Sequence, residues 1–92
     1  MNRERAETLA LEALAHVVQD DRLGPAFLDT TGVVPQDLAA RAGDVDVMIA
    51  ILTFLMQDDR RILDFCQATG RQPDEPAQAL AALPGGTPVH WT

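Results

Sequence analysis

Four aspartates stand in two adjacent pairs, Asp20-Asp21 and Asp58-Asp59, at matching places in two similar stretches of chain. Carboxylate oxygens are the natural ligands of hard divalent cations. Two such pairs brought together across an approximate two-fold axis could hold Mg²⁺ or Ca²⁺. Their spacing matches no calcium-binding loop, however, and each pair precedes a stretch that reads as a helix. Capping of helix N-termini, with surface ion pairs to Arg22, Arg60 and Arg61, accounts for all four, so no metal site is expected. His16, His90 and Cys66 lie 24 or more residues apart, which gives none of the zinc spacings. His16 reads as a half-buried or solvated histidine near a helix end. Cys66 reads as a small core hydrophobe, because the residue 38 positions earlier is Leu28. Gly85-Gly86 precedes Pro88 rather than a helix, so it is no phosphate cradle.

The chain contains no Ser, Tyr or Lys. That removes serine nucleophiles, Schiff-base lysines and phenolic acids. No catalytic residue and no cofactor is expected, and the chain reads as a non-enzyme. Its net charge is −7, and its seven basic residues are all Arg, scattered from Arg3 to Arg71. A nucleic-acid binder needs a positive field to displace counterions, and an anionic membrane surface needs the same sign. Neither partner is expected. A helix-turn-helix reading, the weakest of the alternatives, would need Arg22, Arg41, Arg60 and Arg61 on one face free of carboxylates. Arg3, Glu4, Arg5, Glu7 and Glu12 interrupt any signal-peptide pattern near the start. The longest apolar run, Val47 to Met56, has ten residues, about half of what a membrane span takes. A single cysteine suits a reducing compartment, so a cytoplasmic protein is expected. Heavy use of Ala, Arg, Asp, Gly and Pro suggests a bacterial source.

The elements that carry these residues follow from an internal repeat. Residues 19–35 (QDDRLGPAFLDTTGVVP) and 57–73 (QDDRRILDFCQATGRQP) align without a gap at an offset of 38, with eight of seventeen positions identical. Each copy reads as a long helix, the Asp pair, a short helix, a glycine at its C-terminus (Gly32, Gly70) and a proline opening a third helix (Pro35, Pro73). The spacing predicts helices over 3–19, 21–31, 35–42, 45–57, 59–69 and 74–83. Pro25 and Pro76 are tolerable only within a first turn, so both delay their helix starts. The fold expected is all-α: a compact bundle of about six helices, built from two tandem repeats with pseudo-two-fold symmetry. Repeat 1 covers about 7–43 and repeat 2 about 45–83, within one helical domain over 1–83.

The first helix has an apolar stripe of Ala6, Leu9, Ala10, Ala13, Leu14 and Val17, with Leu11 and Val18 beside it. The helix at 45–57 is apolar all round and should be central. These two long helices should pack together. The four short helices should close over them with Leu23, Phe27, Leu28, Leu38, Ile62, Phe65, Leu80 and Leu83. Residues 84–92 form a Gly/Pro-rich tail carrying Val89 and the only tryptophan, Trp91. Tryptophan is favoured at binding hot spots, so Val89 and Trp91 are the candidate partner-binding residues. The repeat accounts for most distinctive residues structurally. It leaves unexplained this tail and Gly24-Pro25, where the second copy has Ile62-Leu63.

The motifs FL-x-x-TG-x-x-P (Phe27, Leu28, Thr31, Gly32, Pro35), F-x-x-x-x-G (Phe65, Gly70) and LPG (Leu83, Pro84, Gly85) resemble those of a bacterial family, domain of unknown function 3572. The resemblance covers nearly the whole chain. It implies a small, acidic, compact helical protein and supplies no catalytic residues. The function expected is therefore a non-enzymatic protein-interaction or regulatory module, with an unknown protein partner or self-association. The alternative from another class is an acidic divalent-metal-binding protein or small metal-dependent enzyme using the four aspartates.

Overall fold

The computed structural model describes residues 1–85. Val89 and Trp91 therefore lie outside the described residues. Six helices and no strand occur among the described residues: α1 Arg3–Val18, α2 Leu23–Thr31, α3 Pro35–Ala40, α4 Val45–Met56, α5 Asp59–Thr69 and α6 Glu75–Ala82. All six expected helices are present, with ends within about two residues of the expected ones.

The ends are set by the residues that the spacing singled out. Asp20 Oδ1 accepts from the backbone N–H groups of Arg22 (2.8 Å) and Leu23 (2.9 Å), and Asp58 Oδ1 accepts from that of Arg60 (2.9 Å). Pro25 and Pro76 both fall in first turns, where a missing N–H is no loss. Gly32 and Gly70 close α2 and α5 at φ 72° and 76°. Their N–H groups bond to the carbonyls of Leu28 and Cys66, each at 2.8 Å. A side chain at such a φ costs about 1–2 kcal/mol, so glycine belongs there.

The two long helices pack on each other, and α6 lies against both. The stripe Ala6, Leu9, Ala10, Ala13, Leu14 and Val17 is buried as expected. From α4, Val47, Met48, Ile51, Leu52, Phe54 and Leu55 join it. Although α4 is apolar all round, it is not covered all round: Met56 is exposed and Ile49 is half-buried. Phe27, Leu38, Phe65, Leu80 and Leu83 close the core, while Leu23, Leu28 and Ile62 are only partly covered.

Two expectations are corrected here. The four short helices do not close over the centre equally. Among the described elements α6 packs broadly on α1 and α4, whereas α3 packs broadly on no helix. Sequence explains the difference. Helix α6 carries the buried Ala79 and Leu80, whereas α3 ends at Ala40 and is followed by the exposed Arg41 and the small Ala42. A helix without a wide apolar face has little to bury, and α3 is anchored by Leu38 alone, 6% exposed. The second correction concerns the expected ion pairs. Among the described residues none of Arg22, Arg60 and Arg61 pairs with the four aspartates, of which Asp20 and Asp58 act as caps. Arg61 is engaged elsewhere. Its guanidinium carbon stacks 3.9 Å from the Phe54 ring centroid, and Nη1 donates to the Phe54 carbonyl at 2.9 Å, closing the end of α4.

One polar clamp ties α1 to α6. Arg71 donates through Nε and Nη2 to both carboxylate oxygens of Glu12 (2.7 and 2.9 Å), and through Nη1 to Glu75 (3.0 Å). The bidentate bond holds the Glu12 carboxyl below the ordinary glutamate range. Glu75 is lowered first by the backbone N–H of Gln72 and then by Arg71. Asp20 is lowered by the N–H groups that it caps. Carboxyls lowered by folding contribute stability above their unfolded-state values, and that contribution is lost as pH falls through the folded-state ones. The urea midpoint should therefore be flat near neutrality and decline below about pH 5. Arg71→Met should make that decline shallower. Urea titrations followed by circular dichroism across this range would check both.

Candidate functional site

The exposed apolar side chains of α1 locate the site. Leu11 and Val18, expected beside the buried stripe, are 44% and 45% exposed. With Leu14 and Ala15 they form one wall of an open groove of about 550 Å³. The second wall comes from α2 through Gly24, Pro25 and Leu28. The third comes from Pro35, Leu38 and Ala39 of α3, with Ala42 just beyond it. Among the described residues no charged side chain lines the groove.

Local sequence explains why this place is hollow. A Cβ on Gly24 would stand 3.3 Å from the Val17 carbonyl oxygen and 3.4 Å from that of Val18. Glycine thus lets the backbone of α2 rest directly on the end of α1. Beside it, Pro25 projects little. The positions 38 residues later hold Ile62, Leu63 and, opposite Ala42, Leu80. The groove itself is lined at Gly24, Pro25 and Ala42 by residues with little side-chain volume. On its far side, a smaller hollow of about 320 Å³ separates α3 from α4, between Phe27, Leu38 and Ala50.

The residues with chemical potential do not converge. Among the described residues no three His, Cys, Asp or Glu side chains are placed to hold a metal ion. Asp20 and Asp58 serve as caps. His16 lies edge-on to Phe65, ring centroids 5.6 Å apart. Its Nε2 is enclosed without a hydrogen-bond partner among the described residues. Cys66 is buried, and its Sγ donates to the Gln72 carbonyl at 3.3 Å. Burial pushes that thiol up, away from the reactive thiolate. The four arginines of the helix-turn-helix reading do not form a free basic face, since Arg41 pairs with Asp44 at 3.2 Å and Arg61 is engaged by Phe54. A polar depression of about 530 Å³ near the start of α1 contains the Arg71 and Glu75 of the clamp among carboxylates and arginines of both signs. The groove, unlike that depression, has an uncharged lining.

Sequence reasoning missed the groove as a site, although it marked two of its residues. Gly24-Pro25 stood out as the place where the two halves differ, and both line it. Leu11 and Val18 carried no such mark, because hydropathy alone does not separate an apolar residue that is covered from one left open.

Residues 3–86 match a family described as "Protein of unknown function (DUF3572)". No curated protein and no solved structure matches the chain.

Proposed function

The chain belongs to the DUF3572 family, and on that premise we propose that it is a non-enzymatic protein-interaction module whose docking surface is the groove between α1, α2 and α3. The apolar lining of that groove, including the exposed Leu11 and Val18, is the observation that carries the reading. Exposed contiguous apolar surface on a small protein marks a place where something binds. The lack of converging chemical groups among the described residues points the same way. No helix of the described chain is long and apolar enough to cross a membrane. The single, buried cysteine and the acidic charge support work in a bacterial cytoplasm. We read the two halves as a tandem duplication, supported by the recurrence of the same caps and glycine-closed helices 38 residues apart. In that reading the first copy lost side-chain volume at the groove.

The test is affinity capture from native cells with the full chain and with the double variant Leu11→Glu/Val18→Glu. Both positions face solvent, so the fold should tolerate the change. A specific protein retained by the full chain and lost at least tenfold from the variant is the expected result. Equal retention by both would remove the groove from the reading.

A further inference from the structure

The groove also specifies what should fill it. Three features bear on the occupant. The first is volume: Gly24, Pro25 and Ala42 contribute little side-chain bulk to a groove otherwise lined by Leu, Val, Ala and Pro, so the space suits aliphatic side chains. The second is shape. The α1 wall runs from Leu11 to Val18, about two helical turns or ~10 Å. A groove walled by helices accepts a further helix, whose apolar face projects side chains at i, i+3/i+4 and i+7. The third is charge. Carboxylates outnumber guanidiniums 14 to 7, and no lysine is present. Glu7 stands one turn before Leu11 on the same face of α1, its partner Arg3 being 3.0 Å away. Asp21, Asp29 and Asp37 flank the groove walls in sequence, against Arg22 and Arg41, the latter paired with Asp44 at 3.2 Å. Arg71 and Arg61 are held elsewhere, by Glu12 and Glu75 and by Phe54. A second copy of this chain would bring another −7 to the contact and be repelled.

From these features we infer that the groove takes a short amphipathic helix of another protein, with leucine-type anchors along one face and lysine or arginine on its flanks. The inference rests on the groove being a docking surface, as proposed above, and adds the chemistry of the partner. Leucine anchors fill the volume that Gly24, Pro25 and Ala42 leave, and basic flanks meet the acidic surroundings, which sets orientation and speeds encounter.

The test uses the full chain and fluorescent synthetic helices of about four turns, with leucines at i, i+3, i+7 and i+10. One carries Lys flanks, a second Glu flanks, and a third has Ala in place of the leucines. Anisotropy titrations should show the Lys-flanked peptide binding at least tenfold tighter than either of the others. Ala42→Leu, which restores the leucine found at position 80, should weaken it at least tenfold. Circular dichroism would show that this variant keeps its helices, and Pro25→Leu gives a second filling variant. Equal binding of Lys- and Glu-flanked peptides would overturn the inference, as would unaltered binding to both filling variants. So would a gain in affinity on Trp91→Ala, which would make the chain's own tail the occupant, or a dimer in sedimentation that Ala42→Leu dissolves. The capture experiment above can succeed while these titrations fail. In that case the docking surface stands and only the chemistry assigned to its partner falls.

Discussion

Phe54→Ala is expected to lower the stability of this protein by about 3–5 kcal/mol, a large part of the ~5–15 kcal/mol that holds a small protein folded. The ring is 2% exposed. It meets the Phe27 ring edge-on, with centroids 5.4 Å apart and planes at 73°, an arrangement that adds to the burial of either ring. The Arg61 guanidinium lies over the same ring. Truncation therefore does more than open a cavity between α2 and α4. It deprives Phe27 of its aromatic neighbour and Arg61 of the surface on which it stacks. The bond from Arg61 to the residue 54 carbonyl survives in principle, because it engages the backbone. Phe54→Leu keeps much of the volume and should cost far less, within ~1.5 kcal/mol. Urea unfolding monitored at 222 nm would separate the two variants. A loss below about 1 kcal/mol for the alanine variant would contradict the packing described.

Leu38→Ala should act differently, and the difference is diagnostic. Removing a buried leucine usually costs ~2–5 kcal/mol. Leu38 lines both the groove against α1 and the smaller hollow against α4. Its loss merges two existing spaces instead of creating a sealed one, so the cost should lie near 2 kcal/mol. That cost should also be local. Among the described elements α3 has no other buried anchor and no broad contact with another helix. Hydrogen exchange should show the amides of α3 losing protection, while those of α1 and α4 change only slightly. If every helix lost protection together, α3 would be an integral part of the cooperative core, and the loosely seated helix described above would be wrong.

Much of the architecture was legible because it depends on local rules. Helix ends were marked by Asp20, Asp58, Pro35 and the αL glycines Gly32 and Gly70, each acting through the backbone within a few residues. The core face of α1 was legible from its period. What the sequence did not disclose depends on tertiary placement. The side of α1 that carries Leu11 and Val18 is apolar in composition, and only the position of α3 decides whether it is covered. Arg61 sits among aspartates in sequence, yet the turn between α4 and α5 carries it back to Phe54. The clamp of Arg71 on Glu12 joins residues 59 apart, and neither residue's neighbourhood in sequence announces the other. The candidate site was visible only as an anomaly, the Gly24-Pro25 that breaks the likeness of the two halves. Its meaning required knowing that the missing side chains leave a space on one side of one helix.

The packing of α1 against α6 has a consequence for how the chain acquires its shape during synthesis. Of the described helices, α1 is translated well before α6, which completes its cover, with Arg71 and Glu12 joining them. While the intervening residues are being made, the stripe from Ala6 to Val17 can meet α2 and then α4, but the flank reserved for α6 stays wet. Closure of that flank waits until the ribosome has released the last turn of α6. Chains shortened before Glu75 should therefore emerge with half-covered first helices, the kind of nascent apolar surface that chaperones engage. The order of manufacture is thus written into which helices share the core.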